Sequence, residues 1–228
     1  MNKILCFGDG YAANHIWPEW PAMIRALYPE VQHENFGQIG AGNEFITSAI
    51  VQAHIVSPDA FFLVQWALPQ RFDKLLQDDS WLTTIANDPV YHFNQVSLGE
   101  QTWWLSSHSK QDLVQHYHKV YVQNKQADNR SYNFKYLVEN LLRSQAIFFT
   151  LEQLISFADA ERFQQIRQKE VQPSPMVHMT WVEEKILPKM PYQPDTARLY
   201  ELKKRINQHE WHAYDPDREE IWTKMSLF

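Results

Sequence analysis

A chain of 228 residues with 44% hydrophobic and 21% charged residues carries enough apolar material for a sizeable core, and nothing in this composition suggests a disordered or fibrous polymer. The formal charge is −6 and Lys203-Lys204-Arg205 is the one basic cluster, which argues against nucleic-acid binding through phosphates. The single cysteine, Cys6, excludes an internal disulfide, and no apolar stretch approaches the roughly 18 residues of a membrane span, so no membrane partner is expected.

The N-terminus lacks the apolar run of a signal peptide, so a reducing, cytoplasmic setting is expected. Ile4 to Phe7 is a short apolar run ending in Gly8-Asp9-Gly10, which predicts a buried parallel strand and a tight turn. Pro18 and Pro21 suit a first helical turn, and Trp20, Met23, Ile24 and Leu27 follow at helical spacing. Val31 to Phe36 mixes polar residues into a strand pattern, as an edge strand does. After the glycine-rich loop Gly37 to Asn43 comes an amphipathic helix with Phe45, Ile46, Ala49, Ile50 and Ala53 inward, broken at Ser57-Pro58-Asp59. Ala60 to Val64 is apolar throughout, so helices should cover both faces of that strand.

This β-α-β-α-β alternation predicts a three-layer α/β/α fold, doubly wound and flavodoxin-like, with a parallel five-stranded sheet. Residues 70–132 read as an aromatic-rich insertion or lid within a single domain spanning 1–228. A helix is expected around Leu113 to Tyr121 and another around Phe134 to Leu141, followed by a fourth strand at Ala146 to Leu151. Residues 159–170 are expected to form an exposed helix, and Met176 to Trp181 a fifth strand. Helices carrying Leu199, Leu202 and Ile206, and then Ile221, Trp222 and Met225, complete the chain, the last with Asp215 as its N-cap.

Ligands of open α/β sheets bind outside the carboxyl ends of the strands. Gly8-Asp9-Gly10, the loop Gly37 to Asn43 and Gln65-Trp66 all fall there, and His209-Glu210-Trp211-His212 stands shortly before the final helix. Phe7-Gly8-Asp9-Gly10 resembles the first conserved block of the SGNH/GDSL hydrolases, Asn35 to Asn43 resembles their second, and His212 stands where that family keeps its base. Val64-Gln65-Trp66 is also similar to divergent SGNH-like proteins of tailed phages.

The resemblance implies acyl-ester chemistry with a serine nucleophile, a histidine base and oxyanion donors. Here Gly10 occupies the serine position, Gln65-Trp66-Ala67-Leu68 lacks the third-block asparagine, and His209 occupies the aspartate position of the fourth block. Loss of a triad nucleophile costs on the order of 10⁶-fold in rate. What remains is Asp9, Gly40 as an oxyanion-type donor and His212 as a base.

Gly10 reads as a turn glycine, by positive φ or by close approach of a ligand. Asp9 is open to two readings, orienting a ligand or holding the turn. His15 is open to acid–base work or to packing between Trp17 and Trp20. The expected ligand-binding set is Gly10, Gly40, Asn43, Gln65, Trp66 and Arg71, with Arg71 on an anion or on Asp73. Trp66, Trp103 and Trp104 read as a stacking platform or as core. No cofactor and no metal are expected, because His209, Glu210 and His212 lack a further ligand.

Three functions compete. One is a non-catalytic binder of a small molecule or carbohydrate in the vacated cleft. The second is a divergent hydrolase or acyltransferase in which Asp9, His15 or His212 activates water. The third is a structural protein, homo-oligomeric through the 70–132 insertion.

Overall fold

The computed structural model describes residues 2–13, 18–69, 73–75, 93–98, 101–106, 124–160 and 174–208. In chain order their elements are β1 (Lys3–Phe7), α1 (Trp20–Leu27), β2 (Gln32–Asn35), α2 (Asn43–Val56), β3 (Phe61–Trp66), β4 (Asp73–Leu75), β5 (Phe93–Leu98), β6 (Gln101–Ser106), α3 (Asn124–Leu142), β7 (Ala146–Thr150), α4 (Leu151–Ala160), α5 (Pro175–Trp181) and α6 (Thr196–Gln208).

The central sheet has the order β2-β1-β3-β7 with every pairing parallel. The chain steps from β1 to β2 on one side and then to β3 on the other, so its winding reverses between β1 and β3. Side chains alternate across this sheet. Ile4, Cys6, Leu63, Ile147 and Phe149 join one core with residues of α1, α4, α5 and α6. Leu5, Phe7, Phe62, Val64 and Trp66 join a second core with α2 and α3. The result is three layers, helix on sheet on helix. Each fully buried large side chain contributes about 1.5–3 kcal/mol, which is why the uninterrupted apolar runs of β1 and β3 occupy the centre.

Two expectations are corrected. Among the described residues the parallel sheet has four strands rather than five. Met176 to Trp181, read as the fifth, lies in helix α5. Pro175 opens that helix at its first turn, and burial of Val177, His178, Trp181, Val182 and Ile186 continues through a π-helical turn, Val182–Ile186. A short apolar run does not distinguish strand from helix by itself, and here the proline and the continuing burial decide it.

Within the range read as an insertion, β4, β6 and β5 form a separate antiparallel sheet. The same range also holds the start of α3, which packs on α2. The expected helices at 113–121 and beyond Asp215 lie outside the described residues, as does most of the one expected at 159–170.

Candidate functional site

The carboxyl ends of β1 and β3 meet where the winding reverses, and the turn after β1 is seated there by two glycines. A Cβ on Gly8 would stand 2.6 Å from the Ala12 Cβ, and one on Gly37 would stand 2.3 Å from the Ala12 carbonyl oxygen. Both positions therefore require glycine for close backbone approach. Asn35 secures the same contact: its Nδ2 donates to the Ala12 carbonyl at 2.7 Å and its Oδ1 accepts from the Gly37 N–H at 3.0 Å.

The turn itself is an Asx turn. The Ala12 N–H donates to the Asp9 carbonyl at 2.9 Å, and the Tyr11 N–H to Asp9 Oδ1 at 3.0 Å. Positive φ is found not at Gly10 but at Gly40, with φ 82°. Gly40 is the third residue of a turn closed by the Ala41 N–H on the Gln38 carbonyl at 3.1 Å, the position where a type II turn needs glycine. That turn delivers the chain into α2.

Asp9 and Gln65 are both fully buried. Gln65 Nε2 donates to Asp9 Oδ1 at 2.7 Å, and Gln65 Oε1 accepts from Trp20 Nε1 at 2.8 Å. Asp9, Gln65 and Trp20 thus form a buried relay that ties β1, β3 and α1 together. A polar side chain inside an otherwise apolar strand was the sequence signal for Gln65. Trp20 carried no such signal, because it fits the apolar stripe of its helix equally well. Glu19, at the start of α1, is also fully buried.

The structure separates Gln65 from Trp66. Alternation along β3 turns Trp66 into the opposite core, where its ring stacks on Phe148 at 6.3 Å. Asn43 is engaged by protein: its Oδ1 accepts from the Ala67 N–H at 2.9 Å, and its Nδ2 donates to the Ala67 carbonyl at 3.1 Å and to Ser131 Oγ at 2.6 Å. It clamps the chain leaving β3 to α2 and α3. Of the predicted site residues, the structure brings together Asp9 and Gln65, with Gly10 in the Asp9 turn. His15, Arg71, His209 and His212 lie outside the described residues. Cys6 offers no substitute nucleophile, since it is buried on β1 and burial pushes its thiol pKa up, keeping it protonated.

No family model, no curated protein and no solved structure matches this chain. The chemistry of the site therefore has to be read from its own residues. Among the described residues, this edge carries a buried carboxylate held by an amide and the Tyr11 N–H, and no hydroxyl at position 10.

Proposed function

We propose that this chain is an SGNH-hydrolase-like protein without a serine nucleophile, which binds a small molecule or carbohydrate at the carboxyl edge of its sheet rather than cleaving it. One observation carries the reading. At the reversal point between β1 and β3, where open α/β sheets bind ligands, position 10 is a bare backbone unit. The neighbouring carboxylate, Asp9, is already engaged by the Tyr11 N–H and the Gln65 amide. A scaffold with its loops in place and no attacking group suits binding better than acyl transfer.

The test pairs two measurements. The full chain is treated with a fluorophosphonate probe and a panel of acyl esters and acetylated sugars, and its thermal unfolding is followed with the same sugars in deacetylated form. The expected outcome is no labelling, no turnover above the uncatalysed rate, and a rise in Tm with at least one sugar. Stoichiometric labelling would overturn the reading. So would ester turnover that disappears in Asp9→Asn while the variant stays folded.

A further inference from the structure

The outer surface of the α2–α3 layer is apolar where a helix facing water is usually charged. On α3, Ser131, Val138 and Leu142 are buried toward the sheet and α2. The opposite arc exposes Tyr132 at 66%, Tyr136 at 58%, Leu137 at 60% and Leu141 at 42%. Helical spacing puts the two tyrosines on one flank of that arc and the two leucines on the other, with Asn133 and Asn140 between them. The tyrosine rings stack at 6.2 Å between centroids. Between Tyr132 and Leu142 the charged residues are Lys135 and Glu139, four apart on one stripe, so the arc itself carries no charge. The outward face of α6 is the opposite case, with Glu201, Lys204 and Arg205 exposed.

Helix α2 extends the apolar surface. Both helices precede strands of the parallel sheet, so they run in the same direction, and they pack on each other. The bond from Asn43 Nδ2 to Ser131 Oγ, 2.6 Å, sets their starts level. Val51 and Ile55 therefore stand at the height of the second half of α3, and both are exposed, Ile55 at 75%. The six side chains together expose on the order of 600 Å², the upper end for an apolar patch on a monomer. With the intervening asparagines the surface approaches the roughly 800 Å² that each partner of a standard interface buries.

We infer that this face is where two copies of the chain meet. Tyrosine enrichment and depletion of charge are the composition of an interface core. A face without charge has nothing with which to select a charged partner, whereas a two-fold contact needs only self-complementarity. A two-fold axis along α3 sets the tyrosine flank of one copy on the leucine flank of the other and brings the asparagine rows together at the axis. It also lets chains with a formal charge of −6 meet where neither carries charge. The face lies on the layer's outer side, away from the carboxyl edge, and the inference goes beyond the function proposed for that edge.

Sedimentation equilibrium of the full chain is expected to show a dimer with a Kd on the order of 10⁻⁶ M or tighter. Tyr136→Glu/Leu137→Glu changes only exposed side chains and is expected to weaken the dimer at least about 100-fold, with circular dichroism unchanged. Tyr200→Glu, at an equally exposed tyrosine of α6, should leave it intact. Disulfide trapping gives a second readout, because the one native cysteine, Cys6, is buried. Asn133→Cys or Asn140→Cys is expected to cross-link two copies under mild oxidation, and Glu201→Cys is not. A dimer that survives the double glutamate variant overturns the inference, as does growth into larger assemblies. If that variant loses its fold, absence of cross-linking at both asparagine positions overturns it instead. A monomer at all concentrations also overturns it. Resistance of the Asn140→Cys thiol to a thiol reagent in such a monomer would assign the face to another stretch of this chain, and free reaction would assign it to a different protein.

Discussion

One face of the sheet buries polar groups in two contrasting ways. At the β1–β3 end, Asp9, Gln65 and Trp20 bond to one another across three elements. On α5, His178 is fully buried with neither ring nitrogen bonded, and Trp181 buries an unbonded indole N–H. Both tryptophans belong to the same apolar core. The contrast teaches what hydrogen bonding contributes inside a core. A bonded group fixes the geometry of the turn it holds, whereas an unbonded one carries a desolvation cost that protonation or a ligand can change.

The largest expected effect is on the unbonded side. Burial lowers the pKa of His178 from 6.5 to about 3. Between those values the unfolded chain binds a proton that the folded chain refuses. The contribution to stability is fully present above pH 6.5 and is lost as pH falls toward 3, by about 1.4 kcal/mol per pH unit. Over the whole window this amounts to about 5 kcal/mol, comparable to the net stability of many domains. His178→Leu is expected to remove that slope. In urea unfolding at pH 7 and pH 4.5, the unaltered protein should lose about 3 kcal/mol more than the variant. Equal losses would mean that His178 is not held neutral.

Next comes the seat of the Asp9 turn. Gly37→Ala places a methyl group against the Ala12 carbonyl and is expected to cost about 3 kcal/mol, read as a fall in Tm. Gln65→Leu removes both relay bonds and leaves the Trp20 N–H unpaired, with an expected cost of about 2 kcal/mol in urea unfolding.

The smallest effect is the sharpest comparison, because one substitution is made in both regions. Trp20→Phe strands the Gln65 carbonyl oxygen and is expected to cost about 1–2 kcal/mol, whereas Trp181→Phe removes a donor that bonds to nothing and should change stability by less than about 1 kcal/mol. Equal costs at the two positions would erase the distinction drawn between them.

Much of the central fold was legible. The unbroken apolar run of β3 announced a strand covered on both faces, and the two cores on either side of it bear that out. The polar pattern of β2 announced an edge, and among the described residues it is the outer strand of the sheet. The stripe of α2 matches the buried set Phe45, Ile46, Ala49, Ile50 and Ala53. α5 was misread because six apolar-rich residues satisfy a strand and a helix alike, and its burial becomes helical only when followed into the π turn.

The candidate site was legible in position and less so in detail. Asp9 and Gln65 were placed at the right edge, but adjacency in sequence suggested that Gln65 and Trp66 act together, and strand alternation sends them to opposite faces. Asn43 was expected to face a ligand, yet it is engaged by Ala67 and Ser131, the latter far along the chain.

By itself the amino-acid sequence determined the alternation of strands and helices, the glycines at the turns and the absence of a hydroxyl at position 10, because these follow from local periodicity, backbone sterics and residue identity. Only the tertiary structure decided which buried polar groups find partners, which face Trp66 takes and that Met176 to Trp181 is helical. Those outcomes depend on side chains distant in sequence meeting within hydrogen-bonding or van der Waals range, a relation that local pattern does not encode.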